Sequence, residues 1–344
     1  MHVFSWNING ITPFLQNSIT SYFERPCQNP PKGGIPPSSL RDFLRRHDWP
    51  SVLFLQEVKI AFADIKTQDA VRSAVNASGP SDSPPKAGKG PKYDVYFTLP
   101  NDRHNARGPG GSGKVYGVAS IVRSDLLSRF EFESVRSRTV DWDSEGRIQI
   151  IELASAPVKL ALFNIYAVNG TENAYRSPVN GAVSGTRHDR KLAFHRLLRN
   201  ECVQLGSNGW DIVLAGDFNV APDERDGWPK LRVFPKQHVL NRADFLQKFL
   251  DRGGSDNDGA PQDDCKGWKG VDVWREVHGE QRGYTYYPRN MTWGSSCDRV
   301  DYAIVGRKTW EKSIIKGCGI LESEVERGPS DHCPIWVDIE VPLK

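Results

Sequence analysis

The sequence is short of several things, and each shortage closes a class of function. No apolar run approaches the ~18 residues of a membrane-spanning helix. No charged-then-apolar leader opens the chain, which argues against secretion. The cysteines are Cys27, Cys202, Cys265, Cys297, Cys318 and Cys333, and they form no C-x-x-C pair and no Cys/His group of zinc spacing. Free thiols in a reducing compartment are expected. The N-x-S/T triplets at Asn76, Asn169 and Asn290 then carry no weight. Charge of one sign is also scarce: the net charge is +3 and the pI about 8.4. That excludes a polybasic coat but leaves room for a local basic groove.

What remains is ordinary for a soluble globular protein, 38% hydrophobic and 25% charged. At 344 residues a sizeable core is within reach. The motifs described below run from position 5 to 334, so one domain over residues 1–344 is expected. Glycine, proline and small polar residues mark insertions near 25–37, 79–92, 101–114, 170–186 and 251–269, expected to be mobile.

Apolar segments alternate with turn signals along the whole chain. Strands are predicted at Val3–Trp6, Ser51–Gln56 and Tyr93–Leu99. Four more, at Tyr116–Arg123, Phe130–Val135, Arg147–Leu153 and Val158–Tyr166, follow in close order and read as an antiparallel meander. Further strands are predicted at Asp211–Ala215, Gly283–Tyr287, Arg299–Val305, Ile314–Cys318 and Pro334–Val341. Helices are predicted from Ser38 or Ser39 to His47, at Ala61–Ala77, at Arg187–Gly206 and at Asn241–Leu250. The pattern implies an α/β (α+β) fold: a four-layer sandwich of two packed mixed β-sheets flanked by helices. No internal repeat is visible.

The informative residues sit where these strands stop. Ser-Trp-Asn-Ile-Asn-Gly at Ser5–Gly10, Leu-Gln-Glu-Val-Lys at Leu55–Lys59 and Ile-Tyr-Ala-Val-Asn at Ile165–Asn169 all close apolar runs. So do Gly-Asp-Phe-Asn-Val at Gly216–Val220, Asp-Arg-Val-Asp-Tyr at Asp298–Tyr302 and Ser-Asp-His-Cys-Pro at Ser330–Pro334. A buried strand has no use for a carboxylate at its tip, whereas a catalytic face does.

The residue types suit phosphoryl chemistry. Glu57, Asp331, Asn7 and Asn9 offer the hard oxygens that Mg²⁺ prefers. Gly216 allows a sharp turn and close passage by a ligand. Asp217 then has the place of a base for a water nucleophile, and Asn219 that of a donor to a phosphoryl oxygen. Asp217-Phe218-Asn219 alone would read equally well as a turn closing a strand. His332 needs an acid to hold it protonated, and Asp301 is the candidate. His188, His195, His238 and His278 read as structural. Arg187, Arg190, Lys191, Arg196 and Arg199 share one predicted helix, either as a solvated face or as a phosphate contact. Gly108–Lys114 imitates a P-loop, but Val115 replaces the required hydroxyl and the continuation reads as strand.

Taken together, eight motifs in order resemble the exonuclease III family within the endonuclease/exonuclease/phosphatase, DNase I-like fold. They are the six above with Tyr-Gly-Val-Ala at Tyr116–Ala119 and Glu-Gly-Arg at Glu145–Arg147. Glu-Gly-Arg and Tyr-x-x-Asn point to the apurinic/apyrimidinic (AP) endonuclease branch. The resemblance implies a nuclease of DNA repair that uses Mg²⁺, with Mn²⁺ as substitute. It would cut 5′ to an abasic site and trim or clean 3′ ends of double-stranded DNA. It implies a metal cluster of Asn7, Asn9, Glu57 and Asp331, with Lys59 orienting Glu57 and Val58 in the family's Thr position. Tyr166 and Asn169 would contact the attacked phosphate, Asp217 and Asn219 would form the water-activating pair, and Asp301 would orient His332. An intracellular monomer is expected, in the nucleus or the mitochondrion, with no membrane partner.

The chain departs from the family pattern in three places. Val168 replaces a common proline. Residues 170–186 resemble an insertion beside the active-site strand. Asp298 stands where some relatives carry an aromatic wall for the abasic sugar, a part that Tyr284, Tyr286, Tyr287 or Trp293 could take. A less specific nuclease or a phosphodiesterase for protein–DNA adducts on the same fold is the alternative. An inactive DNA-binding domain is the alternative of another class.

Overall fold

A computed structural model describes residues 1–15, 39–77, 90–106, 116–156, 158–250 and 268–344. The first sheet contains β1 (His2–Asn7), β2 (Val52–Gln56), β3 (Tyr93–Thr98), β4 (Val118–Arg123), β15 (Ile315–Ile320) and β16 (Ile335–Ile339). Its order is β15-β16-β1-β2-β4-β3. The second contains β5 (Ser134–Arg138), β6 (Ile148–Ala154), β7 (Lys159–Tyr166), β10 (Asp211–Asp217), β12 (Gly270–Asp272) and β14 (Asp301–Gly306). Its order is β12-β14-β10-β7-β6-β5. Two small ribbons pair β8 (Ala174–Arg176) with β9 (Val183–Thr186), and β11 (Gly227–Trp228) with β13 (Cys297–Asp298).

Both large sheets are built alike, although the sequence shows no repeat. Each has one parallel pair, β1 with β2 and β7 with β10, flanked by antiparallel strands. Parallel neighbours end on the same side. Asn7 and Glu57 therefore emerge together from one sheet, and Tyr166 and Asp217 from the other. The antiparallel neighbours bring the start of β14 beside them, so that Asp217 pairs in register with Asp301.

The central strands β2, β4, β7 and β10 are buried on both faces, which explains their nearly continuous apolar runs, whereas the edge strands β3, β5 and β15 are partly exposed. Val3, Phe54, Val122, Ile151, Leu162, Val213 and Val337 fill the space between the sheets. Phe4, Leu53 and Leu55 face α1 (Leu40–Arg46) and α2 (Ile65–Asn76) through Phe43, Leu44 and Val71. Phe163, Ile212 and Leu214 face α4 (Arg187–Ser207) and α5 (Lys236–Phe249) through Phe194, Leu198 and Phe245. The layers thus run helix, sheet, sheet, helix. Among the described residues no helix is long and apolar enough to cross a membrane.

One polar lock joins the two sheets. The Gln56 amide donates to Asn164 Oδ1 at 2.7 Å and to Ser5 Oγ at 2.9 Å, and Asn164 donates to the Ala119 carbonyl at 2.9 Å. All of these groups are buried. An unmade buried hydrogen bond costs ~1–3 kcal/mol. Asn164→Ala is accordingly expected to lower the melting temperature by about 5 °C or more, checked by thermal unfolding.

Some expectations need correction. The predicted meander is split, because Val118–Arg123 pairs with β2 and β3 while β5, β6 and β7 form their own antiparallel run. Alternating apolar residues encode two faces, not the identity of the neighbour. Phe130 lies in the core before β5, which begins at Ser134. Gly283–Tyr287 forms no strand, only single bridges from Tyr286 to Asp298 and His332. The helix expected from Asn241 begins at Lys236. The short helices α3 (Leu126–Arg129), α6 (Val273–His278), α7 (Arg307–Glu311) and α8 (Glu324–Arg327) were not predicted.

Residues 25–37, the Gly108–Lys114 P-loop imitation, and most of 79–92 and 251–269 lie outside the described residues, as do Cys27 and Cys265. Residues 170–186 form the β8–β9 ribbon, where Asn105 donates to the Arg176 carbonyl at 2.7 Å and accepts from the Arg176 N–H at 2.9 Å. The described cysteines are unpaired and buried.

Candidate active site

All eleven predicted site residues gather at the common end of the two sheets. Asn7, Glu57, Tyr166, Asn169, Asp217, Asn219, Asp331 and His332 line one polar cavity of about 270 Å³. Asn9, Lys59 and Asp301 stand one hydrogen bond behind them.

The backbone is bent to make this possible. Asn9, Glu57, Lys59 and Asn219 all have φ between 51° and 55°. Such left-handed conformations cost a non-glycine residue of order 1 kcal/mol or more, and they persist where the surrounding structure enforces them. Gly216, at φ +150°, is obligatory for a different reason than a ligand. A Cβ there would lie 1.9 Å from the Ile165 carbonyl oxygen, so the close approach is to β7.

Asp217 is the buried centre of the site. Its Oδ1 accepts from the Asn219 N–H at 2.8 Å, and its Oδ2 accepts from the amides of Asn7 at 2.9 Å and Asn219 at 3.2 Å. Burial and the nearby charge of Asp301 push its carboxyl up to about 7. Beside it, His332 Nδ1 and Asp301 Oδ2 are 2.7 Å apart. Burial pushes the ring down, but the charge and hydrogen bond of Asp301, with Asp217 and Asp331, outweigh it and lift His332 to about 10. At neutral pH the ring is therefore a cation. Asp217, Asp301 and His332 offer atoms within 4.8 Å of one another, close enough to hold a metal. Within this group His332 and Asp301 form an ion pair through Asp301 Oδ2, while Asp301 Oδ1 is buried without a hydrogen-bond partner.

The hard-oxygen group lies at the cavity lip. Lys59 Nζ is 3.1 Å from Glu57 Oε1 and also donates to the backbone and side-chain oxygens of Asn9. The Asn9 amide donates to Asp331 Oδ1 at 2.9 Å. Asn7 Oδ1 accepts from the Asn9 N–H at 3.0 Å, which turns the Asn7 amide towards Glu57 and Asp217. The two asparagine oxygens are thus engaged within the protein, and Glu57 and Asp331 are the oxygen donors facing the cavity. This all-oxygen, doubly acidic donor set fits a divalent cation such as Mg²⁺.

Other residues support the site, among them Ser330, Arg147 and Lys191 from segments singled out in the sequence. Ser330 Oγ donates to the Asn7 carbonyl at 2.5 Å and accepts from the His332 N–H at 3.0 Å, which stitches the last motif to the first. Thr285 Oγ1 accepts from the N–H groups of Val300 and Asp301. Arg147 lies over the rings of Tyr116 at 4.3 Å and Tyr166 at 4.9 Å. Lys191 also lines the cavity and donates to the Asn219 carbonyl at 2.7 Å, with burial pushing its ammonium down to about 7.

The basic helix face is divided over its first turns, with Lys191 at the cavity and two arginines turned into the protein. Arg187 and Arg190 are buried and bind Glu145 at 2.6 and 3.1 Å. Of the four aromatic candidates, one reaches the cavity. Tyr287 stacks on Trp293 at 3.7 Å within a small core with Cys297 and Cys333, and Tyr284 packs against it. Tyr286 alone of the four lines the cavity, 5.0 Å from the His332 ring, with Asp298 beside it.

A model of the Endonuclease/Exonuclease/phosphatase family matches residues 4–332. The chain is similar in fold to the catalytic domain of Xenopus laevis APE2, at 19% identity and a TM-score of 0.63, over 100% of this chain and 93% of that one. It is similar to the AP endonuclease LMAP from Leishmania major, at 16% identity and a TM-score of 0.63, over 99% and 88%. It is similar to the 3′ phosphatase NExo from Neisseria, in a structure bound to product DNA hairpin, at 18% identity and a TM-score of 0.54, over 99% of each. Comparison with curated protein sequences gave no match. The family match runs from the first motif to His332, and the chain belongs to the Endonuclease/Exonuclease/phosphatase family of phosphate-ester hydrolases.

Proposed function

We propose that this protein is a divalent-metal-dependent DNA-repair nuclease that hydrolyses the phosphodiester 5′ to an abasic site and also clears 3′ ends. The observation that carries this reading is a buried carboxylate poised near neutrality, Asp217, beside the His332 cation that Asp301 holds, in one polar cavity. Asp217 takes the proton of the attacking water. His332 faces the charge that grows on the phosphoryl oxygens. Tyr166, the strand neighbour of Asp217, and Asn169 line the same cavity and position the phosphate. Glu57 and Asp331 would hold the cation, Mg²⁺ or Mn²⁺ in its place, and its chemistry is to neutralise the leaving 3′ oxygen. Similarity to two AP endonucleases and a 3′ phosphatase supports DNA as the substrate. An abasic nucleotide has no base to unstack, so it is the cheaper one to draw into the cavity.

Two end-labelled duplexes test this reading, one abasic and one undamaged with a recessed 3′ end. Cleavage on the 5′ side of the abasic site in Mg²⁺ and none in chelator is expected. Loss of nucleotides from the recessed 3′ end belongs to the proposed activity, whereas equal internal cutting of undamaged DNA would indicate a nonspecific nuclease, and binding without cutting an inactive domain. Glu57→Gln is expected to raise the Mg²⁺ concentration for half-maximal rate by about tenfold or more, with DNA affinity in chelator unchanged. A Mg²⁺ titration that overlays the wild-type curve would remove Glu57 from the ligand set.

A further inference from the structure

Residues 228–236, Trp-Pro-Lys-Leu-Arg-Val-Phe-Pro-Lys, connect β11 to α5. They leave Phe234 84%, Val233 60% and Trp228 45% exposed. Soluble surfaces rarely leave neighbouring large apolar side chains uncovered without a partner.

The segment is nevertheless held at its start and at Arg232. Arg242 donates to the carbonyls of Ala221 and Arg232, both at 2.7 Å. Gly227 and Trp228 pair with Asp298 and Cys297. Just before them, the fully buried Asp226 accepts from Arg275 and Arg299, each at 2.7 Å. A braced backbone that presents aromatic rings to solvent is a contact surface rather than a loose loop.

Its charge says what it contacts. Lys230, Arg232 and Lys236 are exposed, and the segment contains no acid. Arg282 lies 5.8 Å over the Trp228 ring. Arg232 also lines the catalytic cavity, 3.6 Å from Asp298, so the surface is continuous with the site. Apolar rings interleaved with cations suit a polyanion whose flat apolar groups are free, which is a nucleic-acid strand with unpaired bases.

We propose that Phe234 and Trp228 form a stacking platform for an unpaired base of the strand whose phosphate enters the cavity, with Arg232 between platform and cavity. The inference rests on the reading of the site as a DNA phosphodiesterase. An aromatic face accepts every base, so the platform selects for unpaired ends, gaps or frayed lesions and not for sequence. Base–aromatic stacking contributes ~1–3 kcal/mol per base, or about 5- to 150-fold in affinity.

Binding in chelator, where no cutting occurs, tests it with two duplexes. One is blunt and fully paired, and the other has three unpaired nucleotides at its 3′ end, one of them 2-aminopurine. Phe234→Ala is expected to weaken binding of the second by about 5-fold or more, with the paired duplex affected by less than about twofold. Wild-type protein should quench the 2-aminopurine, Phe234→Trp should retain quenching, and Phe234→Leu should lose it. Equal loss on both duplexes, no loss on either, or retention by Leu would overturn the platform. So would wild-type self-association abolished by Phe234→Ala with overhang binding unchanged, which would assign the surface to a second copy. Wild-type cleavage of abasic DNA alongside any of those outcomes leaves the catalytic reading standing. Wild-type protein that neither binds nor cuts DNA overturns both.

Discussion

Asp217→Asn is expected to slow hydrolysis by ~10²–10⁴-fold, the usual cost of losing a general base, with DNA binding unchanged or slightly tighter. The carboxylate is buried, and burial with the Asp301 charge puts its proton affinity near neutrality. A base is most useful there, because it is both available and strong. The wild-type rate should rise with pH through about 7 as Asp217 deprotonates. It should fall again on the alkaline side, through about 10, as His332 loses its proton. The variant should lack the acidic limb. Asn219→Ala should behave differently, with a loss smaller than that of Asp217→Asn and greatest on the acidic side. The Asn219 amide does not point freely at a substrate. It donates to Asp217 Oδ2 at 3.2 Å and to the Ala167 carbonyl at 3.0 Å. Its removal takes a hydrogen bond from the charged form of Asp217, so the acidic limb should persist and move to higher pH. Rate profiles of the three proteins at saturating DNA decide the matter. A full-rate Asp217→Asn enzyme would transfer the role of base to another residue or to a metal-bound hydroxide.

That the site residues share one end of the two sheets was legible in the sequence, because they violate the pattern around them. Asn7, Glu57, Tyr166 and Asp217 each follow a strand that is buried along its length, and only catalysis or a turn accounts for polar groups there. The layered fold was legible for a related reason, since strands apolar on both faces require cover on both. What was not legible depends on partners far away in the chain. Arg187 and Arg190 looked like surface charges because Glu145, their counter-ion, lies more than forty residues earlier. Tyr286 and Tyr287 are adjacent, yet one faces the cavity and the other a core, as alternation along an extended segment dictates. Alternation alone does not say which face is which. Asn9 and Asn7 have the composition of metal ligands, but only coordinates reveal that Lys59 and a backbone N–H engage their oxygens.

The same distant pairing sets up the second large effect, at Glu145. This carboxylate has no exposed surface and accepts from Arg147 at 3.1 Å, Arg187 at 2.6 Å and Arg190 at 3.1 Å. Burial alone would push it up, but the three guanidinium charges outweigh burial and hold it at about 2. Glu145→Ala would leave three buried cations facing a void. Breaking a buried ion pair on one side costs ~3–5 kcal/mol, a large part of the ~5–15 kcal/mol that holds a domain folded. The expected result is a melting temperature lower by about 6 °C or more. Activity in the folded fraction should fall as well. Arg147 would lose its partner, and it is Arg147 that stacks on Tyr166 and donates to the carbonyls of Tyr166 and Ala167, both at 3.3 Å. The pH dependence has a fixed sign. Because the folded carboxyl lies below its ordinary value of about 4.3, its contribution is complete above that value and is lost as pH falls towards about 2. The stability gap between wild type and Glu145→Ala should therefore stay constant from pH 8 to about 5 and narrow below it. Glu145→Gln, which keeps the shape but not the charge, should fall between the two. Denaturant titrations across that pH range measure the gap. A Glu145→Ala protein as stable as wild type at pH 7 would mean that these arginines find water or another acid, and that Glu145 does not organise the wall behind Tyr166.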